Sequence, residues 1–198
     1  MSLRVDIIVN RIFSSRTYVL TEPGREEVWL VDCGDFDKVQ DCIGNRRIAG
    51  VLLTHAHADH IYGLNELLAV FPDCRIYTNA FGKEALISSK LNLSRYHDEF
   101  EPFVIEKLDN IVVVQEGTSV SLLGEEAVFY ETPGHDPGCV TILIGNLLFT
   151  GDAYIPWKKT VTTFPKSDKA AAERSVSRIL NLAEGRTVYC GHERTETE

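Results

Sequence analysis

The chain has 198 residues, 44% hydrophobic and 25% charged, a balance that suits one soluble globular domain over residues 1–198 with a substantial core. Its formal net charge of −9 excludes a general nucleic-acid binder, and its longest apolar runs are too short to cross a bilayer. Five cysteines (Cys33, Cys42, Cys74, Cys139 and Cys190) with no Cys-x-x-Cys pair, and an N-terminus without signal-peptide layout, point to reduced thiols in a cytoplasmic protein.

Residues 5–9, 17–20 and 27–31 read as strands, the last two joined by a Glu22-Pro23-Gly24 turn, so the chain opens on antiparallel structure. Asp35 is placed to cap a short helix with Phe36, Val39 and Ile43 on one face and Gly44 at its end. Residues 48–53 form a continuous apolar run, the mark of a strand buried on both faces. That run leads into Thr54-His-Ala-His-Ala-Asp-His60. From Ile61 the period turns helical through Leu64, Leu67, Leu68 and Phe71, and Pro72 closes it. Another strand is expected at 74–78, then a helix capped by Asn79 and running to about Leu91. Residues 92–107 show no clear period and read as irregular structure or a short helix, placed to cover a cleft. Strands at 111–114, 119–123 and 128–131 form a second group, followed by a hairpin of 140–144 and 147–150 around Gly145-Asn146. Ser167 is placed to cap a helix with Ala171, Ala172, Val176, Ile179, Leu180 and Ala183 inward and Gly185 at its end, before a last strand at 187–190. Two sheets packed face to face with helices outside would satisfy this pattern.

Four side chains able to bind a metal, His55, His57, Asp59 and His60, fall within six residues at a junction supported by a strand and a helix. Each later candidate follows a predicted strand: His135 in Thr132-Pro-Gly-His, Asp152 in Gly151-Asp, His192 in Gly191-His. Singly, a Gly-His or Gly-Asp at a strand end is ordinarily a turn. If these strands share one direction, their ends bring all three beside the first cluster. Five imidazoles and two carboxylates exceed one tetrahedral zinc but suit two metals that share a bridging carboxylate and keep positions open for water. Residues i and i+2 of an extended chain face one side, so His55 and His57 can grip one metal while Asp59 and His60 aim at a second. The sixth histidine, His97, lies in the irregular charged stretch and reads as solvated.

These residues resemble the metallo-β-lactamase superfamily, with His-x-His-x-Asp-His at 55–60 and then His135, Asp152 and His192 in the family's order. The resemblance implies an α/β (α+β) fold, a four-layer αββα sandwich of two mixed sheets flanked by helices, with the site along one sheet edge. It implies His55, His57 and His135 on one metal, Asp59, His60 and His192 on the other, and Asp152 bridging. The cofactors would be two divalent ions, zinc, with iron or manganese as alternatives. A hydroxide between them would attack a carbonyl, and Asp59 would orient it or accept its proton.

Within the superfamily, Thr132-Pro-Gly-His-Asp-Pro-Gly-Cys139, Leu148-Phe-Thr-Gly-Asp152 and Cys190-Gly-His-Glu193 are most similar to the hydroxyacylglutathione hydrolase (glyoxalase II) branch, whose members hydrolyse the thioester S-lactoylglutathione. Two departures stand out. The sequence stops just past His192, before the C-terminal helical region that helps hold glutathione in the full-length enzymes. Ala153-Tyr-Ile-Pro-Trp-Lys-Lys159 stands where Gly-Cys-Gly-Arg often follows the bridging aspartate. In that stretch Tyr154 and Trp157 are candidates for an apolar wall, and Lys158 or Lys159 for a partner to a substrate carboxylate. The expected function is a metal-dependent hydrolase of a small thioester or related ester. It would act on a small-molecule substrate, with no nucleic-acid or membrane partner. The alternatives are a mononuclear-iron persulfide dioxygenase, using only His57, His135 and Asp152 and hinted at by Gly138-Cys-Val-Thr141, or a lactonase or β-lactamase.

Overall fold

The computed structural model describes residues 3–194. Strands β1 (Arg4–Val9), β2 (Arg16–Thr21) and β3 (Glu27–Val31) pair antiparallel, as the opening pattern predicts. Strands β4 (Arg47–Leu52), β5 (Arg75–Thr78) and β6 (Ile111–Val113) then add in parallel to complete a mixed six-stranded sheet. The second sheet runs β11-β10-β9-β8-β7, from β7 (Ser119–Leu122), β8 (Glu125–Glu131), β9 (Val140–Ile144), β10 (Leu147–Gly151) and β11 (Thr187–Cys190). There β10 and β11 are parallel and the other pairs antiparallel.

Alternation along the strands sorts the apolar side chains into layers. Tyr18, Leu20, Trp29, Val31 and Leu52 face Phe129, Val140, Ile142 and Phe149 across the gap between the sheets. Their neighbours Val19, Val28, Leu30 and Val51 turn the other way, onto the helical layer of α1 (Phe36–Ile43), α2 (Ala58–Ile61), α3 (Leu64–Val70) and α4 (Ala80–Leu86). Helix α5 (Lys169–Ala183) covers the second sheet, with Ile179 against Leu148. The result is an αββα sandwich. Among the described residues no helix is long and apolar enough to cross a membrane.

Several local expectations change. Strand β6 belongs to the first sheet, because its partner is β5 and not the strands that follow it. The helix from Ile61 is broken into α2 and α3 at Gly63, and a close backbone contact explains the break. A Cβ on Gly63 would sit 2.1 Å from the Gly34 carbonyl oxygen, and the Gly63 N–H donates to the Cys33 carbonyl at 3.1 Å. Gly63→Ala is therefore expected to push α3 off the 33–34 loop and cost about 1–3 kcal/mol, read as a lowered Tm. Asp35 makes no side-chain cap to α1. Its carboxylate instead accepts from the Arg11 N–H (2.9 Å) and the Tyr62 hydroxyl (2.5 Å) and pairs with Lys38 (2.8 Å), tying the β1–β2 loop to the helical layer. Helix α4 ends at Leu86 rather than near Leu91. Asp168, not Ser167, caps α5 by accepting from the Ala171 N–H at 2.9 Å. Leu180 is 48% exposed, so the inward face of α5 is narrower than its period suggests. Residues 92–107 are irregular apart from one 3-10 turn (Ser94–Tyr96), and Asn92 and Ser94 pin them to the Phe103 backbone at 3.0 and 3.1 Å.

Candidate metal centre

Four strand ends meet at one edge of the sandwich. Strand β4 delivers residues 54–60, while β8, β10 and β11 run in one common direction and carry His135, Asp152 and His192 just past their ends. Ligand atoms of His55, His57 and His135 lie within 4.8 Å of one another, as do those of Asp59, His60 and His192. Asp152 stands between the two triads. Its Oδ2 is 3.5 Å from His135 Nε2 and 3.1 Å from His192 Nε2, and its Oδ1 is 3.5 Å from His60 Nε2. This close fit needs Gly191, where a Cβ would lie 1.9 Å from Asp152 Oδ1.

The hydrogen bonds behind the ligands decide which nitrogen each ring presents. Asp32 accepts from the Thr54 N–H (2.8 Å), the Thr54 hydroxyl (2.7 Å) and His60 Nδ1–H (2.9 Å). Because the Thr54 hydroxyl proton is committed to Asp32, its oxygen must accept from His55 Nδ1–H at 3.2 Å. His135 Nδ1–H donates to the Val161 carbonyl (2.9 Å) and His192 Nδ1–H to the Phe13 carbonyl (2.8 Å). His57 is turned the other way: Nε2 lies 3.5 Å from Asp136 Oδ2, and Nδ1 faces His135 Nε2 at 3.1 Å. All five rings thus aim a bare nitrogen at the centre.

These donors fit divalent cations. His55 Nε2, His60 Nε2 and Asp152 Oδ1 are buried without a hydrogen-bond partner, a costly arrangement for three polar atoms pointed at one place unless an ion satisfies them. The electrostatics agree. Burial and the neighbouring His60 and His57 push His55 well below its ordinary value, and burial lowers His135, so both favour the neutral, liganding form. For His60 burial is outweighed by Asp59 and Asp152, which raise it well above the ordinary range, and for His192 burial is outweighed by Asp152. Asp152 is held well below the carboxylate range because His192 and His60 overcome its burial. The negative side of the site calls for positive charge, and metal ions would supply it in place of protons.

Five of the seven ligand candidates, His57, Asp59, His135, Asp152 and His192, line a cleft of about 300 Å³, and His55 and His60 lie fully buried beside them. Lys158 and Lys159 line its mouth; Tyr154 and Trp157 do not, and line a neighbouring cavity instead. His97, expected in solvent, lines the cleft with its ring 5.2 Å from Phe13, because the pinned 92–107 segment forms one wall. Phe164 packs edge-on against His57 and His135 at 5.1 and 5.3 Å. The supporting residues Asp32 and Phe164 carry no sequence signal of their own, since each acts across a contact between distant segments; Asp136 lies within the 132–139 motif, but its approach to His57 is not marked in the sequence.

The family model described as the Metallo-beta-lactamase superfamily matches residues 11–192. Among curated proteins, a hydroxyacylglutathione hydrolase of Pectobacterium atrosepticum is 27% identical over 168 residues, covering 84% of this chain and 57% of that protein. Glyoxylase B2 of Dictyostelium discoideum is 31% identical over 147 residues, 72% of this chain and 49% of that protein. The chain therefore spans less than two thirds of the length of these relatives. Among solved structures, the BLEG-1 B3 metallo-beta-lactamase matches with a TM-score of 0.84 at 24% identity, over 96% of this chain and 92% of that one. The protein TTHA1623, solved in a di-iron-bound form, matches with a TM-score of 0.79 at 24% identity, over 96% and 93%. These two structures share the fold.

Proposed function

The chain belongs to the metallo-beta-lactamase superfamily, and from that premise we propose that it is a metal-dependent hydrolase of a thioester or related small ester. His55, His57 and His135 would hold one divalent ion, Asp59, His60 and His192 a second, with Asp152 between them. The observation that carries this reading is the convergence of two ligand triads on three unpartnered buried atoms. Zinc bound there would bring the pKa of coordinated water down to about 7, and either ion would polarise a carbonyl oxygen.

The chain's own residues do the rest. Asp59 Oδ2 lies 3.4 Å from His60 Nε2 and 3.5 Å from His192 Nε2 at the cleft floor, where the carboxylate can accept the proton that an attacking water releases. The Ser15 hydroxyl fixes that position by donating to the Asp59 carbonyl at 2.7 Å. Phe164 shields His57 and His135 from water, and Phe13 and Ile155 give the cleft apolar sides. Lys159 at the mouth can meet an anionic group on the substrate. A thioester substrate is supported by the hydroxyacylglutathione hydrolases among the relatives.

The test is metal quantification on the reconstituted protein, coupled to hydrolysis of a panel of thioesters, lactones and β-lactams. Two divalent ions per chain and fastest turnover of a thioester are expected. One iron per chain with oxygen uptake on glutathione persulfide would replace this reading with the dioxygenase. No metal uptake from zinc, iron or manganese would end both.

A further inference from the structure

The two triads are backed by different parts of the fold. Behind the first, Thr54 holds His55, the Val161 carbonyl holds His135, and Asp136 faces His57. The second leans on the β1–β2 loop. There the Phe13 carbonyl accepts from His192 Nδ1–H at 2.8 Å, and the Ser15 hydroxyl donates to the Asp59 carbonyl at 2.7 Å. Only His60 of that triad is held from elsewhere, by Asp32. Around these contacts the loop is joined to the end of β11 through the backbone. The Arg16 N–H donates to the Gly191 carbonyl (2.7 Å) and the Glu193 N–H to the Ser14 carbonyl (2.8 Å), while the Arg16 guanidinium pairs with Glu193 at 2.7 Å. Among the described residues, no hydrogen bond from residues 10–16 reaches His55, His57 or His135.

The loop takes this shape against the preference of its own residues. Phe13 and Ser14 are consecutive non-glycine residues at φ +54° and +52°, the left-handed region that a Cβ disfavours. Phe13 is 42% exposed, so burial offsets little of the strain there. What the backbone gains is the placing of two carbonyls, Phe13 on His192 and Ser14 on Glu193. Strain of this kind persists where the surroundings over-determine it, and here they include two ligand candidates. An ion held by Asp59, His60 and His192 would fix both groups that the loop grips. By linkage, the closed loop and that ion then favour each other to the same degree.

We propose that the β1–β2 loop is a clamp specific to the second metal position: closed, it lets the chain hold two ions, and open, it leaves one ion in the first triad. The assignment deepens the two-ion hydrolase reading and rests on it. Ser14 and Ser15 are positioning residues, acting through His192 and Asp59 and not on the substrate. The clamp thereby governs whether the centre works with two ions or with one.

The experiment titrates the metal-free protein with zinc and follows imidazole nitrogen shifts, those of His55 and His135 for the first position and of His60 and His192 for the second. Ser14→Val, whose branched side chain a left-handed backbone does not admit, is expected to weaken the second position by about tenfold or more and to leave the first within about twofold. Ser14→Gly, at home in that backbone, is expected to keep both positions at the parent's affinity. Ser15→Ala is the milder change, since Asn10 Nδ2 keeps Thr17 Oγ1 as an acceptor at 3.2 Å, and is expected to weaken the second position alone. Equal losses at both positions, no loss at either, or loss of the second position in Ser14→Gly as well overturns the proposal. A measurement on the parent needs no variant. Amide hydrogen exchange at Arg16 and Glu193 is expected to slow by about tenfold or more as the second position fills, and hardly at all as the first does. Exchange indifferent to the second ion overturns the clamp too. A protein that binds two ions under this control and hydrolyses none of the panel loses the hydrolase reading and keeps the clamp; one that takes up no zinc, iron or manganese loses both.

Discussion

Asp152→Asn is expected to lower hydrolytic kcat/KM by more than about a thousandfold and to reduce metal uptake from two ions per chain to one or none. The side chain keeps its shape, so the effect is one of charge. Asp152 is the only described carboxylate that lies within 3.5 Å of imidazole nitrogens from both triads. The metal-free protein supplies an independent measurement. Asp152 is depressed in the fold, so its contribution to stability is present above its ordinary value of 3.8 and is lost as pH falls through the folded value. His60 and His192 are raised, so theirs is fully present below the ordinary 6.5 and is lost as pH rises through their folded values. The stability difference between parent and variant should therefore be largest between about pH 4 and 6.5, reach up to about 3–5 kcal/mol, and shrink on either side. Chemical denaturation of the two metal-free proteins across pH 3–9 would show it. A difference that stays constant over that range would mean that Asp152 does not compensate the two histidines.

What the sequence makes legible here is whatever is local or strongly patterned. A six-residue apolar run, 48–53, marks the strand ahead of His55, and the candidate ligands after β8, β10 and β11 are each marked by a preceding glycine, so the edge of the sandwich can be placed before the fold is known. Sheet membership is not local. A three-residue strand such as β6 carries no mark of whether its partner precedes or follows it, and it sides with β5. The break at Gly63 depends on the Gly34 carbonyl nearly thirty residues away, which no helical period records. Ser167 and Asp168 are both good caps by type; the geometry gives the cap to Asp168 and leaves the Ser167 hydroxyl to donate to the His135 carbonyl at 2.6 Å. His97 reads as solvated because its own neighbours are charged, whereas its position follows from Asn92 and Ser94 fastening the segment to Phe103.

Asp32 is the sharpest case of a residue legible only in three dimensions, and it carries the second large expected effect. It follows β3, and because β3 and β4 are parallel neighbours, its carboxylate arrives beside Thr54 where β4 ends. It is 1% exposed with φ at +59°, a left-handed backbone that Asn accepts as well as Asp, so Asp32→Asn alters the hydrogen bonding without a backbone penalty. Asparagine can keep one acceptor for the Thr54 N–H, but its NH2 stands where the Thr54 hydroxyl and His60 Nδ1–H need an acceptor. The Thr54 hydroxyl is then free to donate to His55 Nδ1, and His60 Nδ1 is left to accept from the new amide. Each ring moves its proton to Nε2 and points N–H, not a lone pair, at the metal site. Metal affinity is expected to fall about 10–100-fold at both sites, and stability by about 1–3 kcal/mol. Imidazole nitrogen shifts of the metal-free variant, recorded above the titration of His60, should show both rings changed from the Nδ1–H to the Nε2–H form. A variant that holds both metals as tightly as the parent, with His55 still protonated at Nδ1, would show that Asp32 does not set the ring that each ligand presents. If the rings do switch, one buried carboxylate outside the seven candidate ligands governs one histidine of each triad.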